Sequence, residues 1–266
     1  MKKLLFIAII TLLTITTAKA QFPYYPFPTK PTESTKYKTA GIKWCKRYQV
    51  DSVYKDSVLK EIFMYNTFGR VETAYELGTN NDGDPDTSCT TYNTYTTLGY
   101  PLRSMIYDKE QGEIISLNTY DSKGKILKKE VASIDPPTYS YIYEPFGKII
   151  ECKVTQKYPA IDNDGNSTGK AVNVYTYRIT YSYNSKGQLQ TERTYNARQE
   201  NKPLESYINF TYDSKGMVSK ITRHNSEGTL WYIKDFKYDT KGFLTDSWYA
   251  DDEKSPRVWS VYVWGK

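Results

Sequence analysis

A five-residue phrase recurs along this chain, and each copy supplies what a tight chain reversal needs. Tyr120 to Gly124 and Tyr212 to Gly216 both read YDSKG, Tyr183 to Gly187 reads YNSKG, and Tyr238 to Gly242 reads YDTKG. Tyr143 to Gly147 (YEPFG) and Tyr65 to Gly69 (YNTFG) are looser copies; YDKEQG from Tyr107 and HNSEG from His224 are variants. An apolar residue follows two positions after the glycine, as at Val71, Ile114, Ile126, Ile149, Leu189 and Leu244. An aromatic or Met usually stands two before the tyrosine, as at Phe63, Met105, Tyr181 and Phe236.

The physics of that spacing is a hairpin. Asp or Asn opens a type I turn by bonding its own backbone, and a glycine three residues on takes the left-handed conformation that closes the turn, so the chain returns antiparallel. The flanks alternate with period two, Tyr175, Tyr177, Ile179, Tyr181 and Tyr183 and then Leu189 and Thr191 on one face, against Thr176, Arg178, Thr180 and Ser182 on the other. The expectation is an all-β protein, an antiparallel meander of repeated β-hairpins with about a dozen strands between Ile42 and Trp264, forming an open curved sheet or a partial barrel. Val50 to Tyr65 is the one ambiguous segment.

Three stretches divide the chain. Residues 1–20 run Met1, Lys2, Lys3, an apolar stretch from Leu4 to Ile15, and an Ala18-Lys19-Ala20 ending, which reads as a secretory signal peptide cut before Gln21. The apolar run is too short for the roughly 20 helical residues a bilayer core requires, so no membrane span is expected after cleavage, and the destination is secreted, periplasmic or cell-surface. Residues 21–40 carry Pro23, Pro26, Pro28 and Pro31 without a periodic apolar face and read as an extended Pro-rich arm, a spacer or a strap for the sheet edge. Residues 41–266 form the hairpin-repeat domain. The leader takes three lysines and no acid, so 36 basic residues become 33 against 30 acidic ones and the net charge falls to +3. With Lys and Arg scattered among Asp, Glu and Tyr, nucleic acid is not an expected partner. Cys45, Cys89 and Cys152 are too widely spaced for a zinc site; one bridge with one thiol left over is permitted, the pairing undetermined.

The recurrent YDxxG followed by x-[ILV] resembles the YD repeats of the RHS family, over most of residues 60 to 245. The resemblance implies a secreted or cell-surface repeat protein. Large members resemble hollow β shells around a toxin domain, and for short secreted relatives the implied role is carbohydrate binding. Here the intervals between motif glycines are irregular, 43 residues from Gly69 to Gly112 and 12 from Gly112 to Gly124, and no toxin module follows.

Chemistry-bearing motifs are few. His224 is the single histidine and stands where other copies place the motif tyrosine, a structural position. Paired carboxylates would permit a secreted hydrolase, but Asp121, Asp213 and Asp239 are turn formers, and Glu113, Glu130, Glu151, Glu192 and Glu205 read as solvated strand positions. Two loops, Asn80 to Asp86 (NNDGDPD) and Asp162 to Asn166 (DNDGN), space oxygen ligands as calcium loops do, with Asp82, Asp84, Asp86, Asp162 and Asp164 as the ligands. Both lack the bidentate Glu at the twelfth position, which is Thr91 or Asn173, so plain polar turns are the simpler reading. The aromatic excess, 27 Tyr with 5 Trp, is the positive clue, because flat faces with a polar handle suit sugar stacking and protein interfaces. Trp231, Tyr232, Trp248, Tyr249 and Trp259 are the expected ligand-binding residues. The functional expectation is a non-enzymatic module binding a glycan or a protein partner; the alternatives are a carboxylate hydrolase and a scaffold fragment with an unpaired long edge for another chain.

Overall fold

The computed structural model describes residues 34–50, 56–79, 85–97, 99–109, 112–122, 124–132, 137–145, 148–161, 167–199, 201, 203–251 and 258–266. The signal segment, residues 21–33 of the arm, and Asp82, Asp84, Asp162 and Asp164 lie outside them. One short helix, α1 (Thr35–Ala40), precedes sixteen strands: β1 (Trp44–Val50), β2 (Ser57–Tyr65), β3 (Val71–Thr79), β4 (Pro85–Tyr95), β5 (Pro101–Asp108), β6 (Gly112–Tyr120), β7 (Ile126–Ala132), β8 (Pro137–Tyr143), β9 (Ile149–Ile161), β10 (Ser167–Tyr183), β11 (Leu189–Asn196), β12 (Leu204–Tyr212), β13 (Val218–Asn225), β14 (Leu230–Tyr238), β15 (Leu244–Ala250) and β16 (Val258–Gly265). Each pairs antiparallel with its sequence neighbours, and β1 pairs with β16 from Trp44 opposite Gly265 to Val50 opposite Trp259. The meander is therefore a closed barrel, where an open sheet or partial barrel was expected, and the long free edge that the scaffold alternative needs is taken up in the β1–β16 seam.

All the even-to-odd connections from β2–β3 to β14–β15 lie at one end, and there the phrase does its work. At Asp213 the carboxylate accepts from the backbone N–H of Lys215 (2.9 Å) and Met217 (2.8 Å), while the Gly216 N–H donates to the Asp213 carbonyl (3.0 Å). Gly216 has φ +82°, and Gly69, Gly124, Gly187 and Gly242 are likewise left-handed. Gly99 (φ 85°) closes a further copy, Tyr95 to Gly99, in which Thr96 replaces Asp: its hydroxyl accepts from Tyr100 N–H at 3.0 Å. This copy divides the long interval between Gly69 and Gly112. The glycines of the variants, Gly112 and Gly228, belong to turns at the opposite end.

Every motif turn is followed by a β-bulge, with the register slipping between the motif tyrosine and the residue before it, as between Thr211 and Tyr212 or Lys237 and Tyr238. The slip resets which side chains point inward. After each motif glycine the inward positions are the second, fifth and seventh residues: Leu189, Glu192 and Thr194; Val218, Ile221 and Arg223; Ile126, Lys129 and Val131. Thr191 therefore lies on the outer face, bonding Asn209 there (3.3 Å), and leaves the apolar face on which plain alternation places it.

The motif tyrosines point inward as a belt. The hydroxyls of Tyr95, Tyr120, Tyr143, Tyr183, Tyr212 and Tyr238 donate to the carbonyls of Val71, Pro101, Ile126, Ile149, Leu189 and Val218, at 2.5–2.9 Å. Trp264 Nε1 completes the series on Leu244 O at 2.7 Å. Each acceptor is the second residue after the preceding motif glycine, beside the bulge that interrupts its ladder. Burial raises the tyrosine pKa along the belt, to about 12 at Tyr183 and Tyr212.

The next rows inward are packed: Phe63, Cys45, Cys152, Phe210, Ile221, Phe236 and Tyr262 are all buried in one cluster. The arm's last residues are helical, where an extended spacer was expected, and belong to the barrel: α1 lies over the motif end, with Tyr37 against Tyr65 (5.4 Å), Trp264 (5.3 Å) and Phe243 (5.6 Å), and Lys36 Nζ on Gly242 O at 2.8 Å. Cys45 and Cys152 are buried free thiols.

Candidate functional site

The five aromatics expected to bind ligand divide among three surroundings. Ser247 and Ser260 face each other across β15 and β16, and both are buried inside. Trp248 and Trp259, the next opposed pair, consequently stand on the outer wall. Their rings are parallel within 6°, centroids 6.4 Å apart. Lys237 Nζ sits 4.6 Å from the Trp248 ring centroid, and Trp259 Nε1 donates to Asp246 at 3.0 Å. This is a half-exposed aromatic surface with an ammonium at one side and a carboxylate at the other.

Tyr232 and Tyr249 have the opposite parity and face inward towards the end away from the motif turns, 5.9 Å apart, with Tyr249 OH donating to Asp251 at 2.5 Å. Trp231 is the extra residue of the β13–β14 bulge, 45% exposed, with the Arg223 guanidinium 5.0 Å from its ring. The structure thus joins Trp248 to Trp259 and Tyr232 to Tyr249, and leaves Trp231 with Arg223.

Of the calcium ligands, Asp86 is described, and its carboxylate accepts from Lys109 Nζ, which holds its pKa below the usual carboxylate value. Among the described residues no group of three or more His, Cys, Asp or Glu converges as a metal site would require. His224 stacks on Tyr207 (4.8 Å, 9°) on the outer wall. Its Nδ1 donates to the Gly228 carbonyl (3.1 Å) and its Nε2 lies 3.0 Å from the Thr222 hydroxyl, so the ring is held by its own hairpin.

Two interior charges escape a reading by alternation. Lys129 on β7 and Glu192 on β11 both occupy the fifth position after a motif glycine, in the same ring as Cys152 and Ile221. Burial lowers the Lys129 pKa to about 8, with Cys152 as its electrostatic neighbour, and raises that of Glu192 to about 7 against the pull of Arg223. Glu192 is partly buried on the inner face, where a solvated strand residue was expected. The signal that locates both is the bulge-corrected count from each glycine. The Cys152 thiol is also pushed up, by burial first, so it is held as an inert neutral thiol.

These features define a closed, all-antiparallel barrel with a packed interior and an aromatic strip on its outer wall. No family model matches the chain and no curated protein does. Among solved structures, it is similar to a porin-like protein from Bacteroides uniformis (TM-score 0.49, 13% identity, covering 84% of this chain and 98% of that one) and a porin-like protein from Bacteroides vulgatus (TM-score 0.42, 10% identity, 83% and 97%). A TcdB2-TccC3-Cdc42 structure matches 80% of this chain over 14% of its own, with TM-score 0.27 and 12% identity.

Proposed function

We propose that this chain is an exported, non-enzymatic β-barrel that binds a glycan, or a glycan-bearing protein partner, on the outer wall of β14 to β16. The observation that carries the reading is the parallel Trp248–Trp259 pair between Lys237 and Asp246. Two such rings offer an apolar face on which pyranose C–H groups stack, and the flanking charges supply hydrogen bonds to hydroxyls at the rim. The pair stands on adjacent strands of a ladder, so its spacing is fixed before binding and little entropy is lost.

The barrel is read as working in water. Its outer wall carries the ion pairs Arg178–Glu151 (2.7 Å) and Lys220–Asp235 (3.7 Å), whereas a bilayer-spanning barrel needs an apolar outer band about 25 Å tall. Inward residues such as Cys45, Cys152, Ile221 and Phe236 are buried, whereas an aqueous channel would wet them.

A glycan array probed with the chain beginning at Gln21 tests the reading, repeated with Trp248→Ala and Trp259→Ala. Each substitution is expected to weaken binding at least about fivefold, on a base of about 1–3 kcal/mol per stacked ring. Binding undiminished in both variants overturns the assignment, and a loss confined to Trp231→Ala moves the site to the β13–β14 bulge.

A further inference from the structure

The bulge puts one side chain per motif turn on the outer wall just above the turn, and the residue before each motif tyrosine projects beside it. On β2 to β9 five of the eight equivalent positions hold Met64, Leu102, Leu127, Ile142 and Ile150, each 38–46% exposed, and the other three hold Glu72, Thr94 and Thr119. On β10 to β15 they hold Ser182, Gln190, Thr211, Ser219, Lys237 and Thr245. The large apolar side chains at these positions are therefore confined to one half of the wall, an interrupted stripe densest from Leu102 to Ile150, and the other half is polar throughout. Tyr92 and Leu117, at 45% and 46% exposure, widen the apolar half. The stripe begins where the chain enters: the Ser34 carbonyl lies so close over Gly69, in the β2–β3 turn, that a Cβ there would meet it at 2.5 Å. Lys38 Nζ stands 5.7 Å from the ring of Phe68 in that same turn.

We propose that residues 21–33 are the occupant of this stripe, lying across β2 to β8 as an intramolecular strap just above the motif turns. Three observations argue for this segment. It is tethered at the stripe's β2 end through Ser34. Its thirteen residues reach about 40 Å in the extended conformation its prolines favour, against about 29 Å for the six strand spacings from β2 to β8. Its chemistry matches: Phe22, Tyr24, Tyr25 and Phe27 alternate with proline, and the first charge after Gln21 is Lys30. A proline-bearing segment brings few free N–H groups, so it covers a wall through side chains and seeds no new strand.

The test places a photo-crosslinking phenylalanine analogue at Tyr25 in the chain beginning at Gln21 and maps crosslinked peptides by mass spectrometry. Expected are concentration-independent intramolecular crosslinks to peptides containing Leu102 or Leu127, reduced at least fivefold by Leu102→Ser with Leu127→Ser. Because those serines could disturb the wall, a second variant leaves it intact: Phe22, Tyr24, Tyr25 and Phe27 all changed to Ser, with bis-ANS fluorescence expected to rise at least threefold over the parent. Crosslinks between chains would assign the stripe to a second copy. Crosslinks to β10–β15, none at all, or unchanged bis-ANS fluorescence would also overturn the strap. The glycan array does not enter this result, so the two proposals fail separately.

Discussion

At the scale of single residues, the motif tyrosine is the informative one, because its hydroxyl closes a polar account that the bulge opens. Tyr212→Phe keeps the ring in its row and deletes the donor to Leu189 O, leaving a backbone acceptor short of a partner. The expected cost is about 1 kcal/mol in urea melts at unchanged m-value. The two inward ionisable groups make a second prediction. Glu192 has a folded pKa near 7 against an ordinary 4.5, so the folded state holds a proton the unfolded chain has lost, and its contribution to stability falls as pH rises from 4.5 through 7. Lys129 has a folded pKa near 8 against 10.5, so the unfolded state binds the extra proton and stability rises with pH from 8 to 10.5. Lys129→Met is expected to abolish that alkaline rise and to stabilise the protein at pH 7 by on the order of 1–3 kcal/mol. A melting series with an unchanged alkaline limb would contradict the buried, charged lysine.

At the scale of elements, the hairpin is what the sequence spells out most clearly. Asp213, Gly216 and the apolar Val218 specify a turn, a left-handed closure and an inward anchor within six residues, and all three are found in those roles. The Tyr95–Gly99 copy is hidden because Thr96 performs the Asp role through a hydroxyl, a substitution that a pattern built on Asp and Asn passes over. The inward charge of Glu192 is hidden for a different reason: period-two alternation carries no notice of a bulge, and one extra residue exchanges the faces of everything downstream. The helix α1 has no legible signal in the Pro-rich arm, since it is six residues long and is held by Tyr37 packing on Tyr65 and Trp264 more than by propensity. Two glycines separate turn strain from helix docking. Gly112 has φ +78° and open space around a would-be Cβ, so Gly112→Ala is expected to cost about 1 kcal/mol. At Gly69 the same Cβ would strike Ser34 O and Lys38 N, both backbone, so Gly69→Ala must also displace α1. The expected signature is a larger fall in melting temperature together with hydrogen exchange in residues 35–40 rising to that of a free segment.

At the scale of the whole molecule, closure is a property that no single motif encodes. Each hairpin specifies only its own reversal, whereas the decision between an open sheet and a barrel rests on how many hairpins accumulate twist before the ends meet. Every other ladder joins strands adjacent in sequence, while the β1–β16 seam brings together residues more than two hundred apart, Cys45 opposite Trp264 and Arg47 opposite Tyr262. Such a contact carries the largest loop-closure cost in the fold and gains least from local structure. It is held from inside by Trp264, which bonds Leu244 O and packs on Tyr37 and Phe243, and by Arg47, which pairs with Glu61 (2.6 Å) and donates to Ser260 (3.2 Å). The seam should therefore form last. In pulse-labelling hydrogen exchange during refolding, amides of β1 and β16 are expected to gain protection after those of β9 to β13. Removing Val258–Gly265 exposes two unpaired strands at once, and that chain is expected to self-associate on size-exclusion chromatography. A monomeric, cooperatively melting product would mean that the hairpins hold the sheet without the seam, and that closure follows from the fold but does not stabilise it.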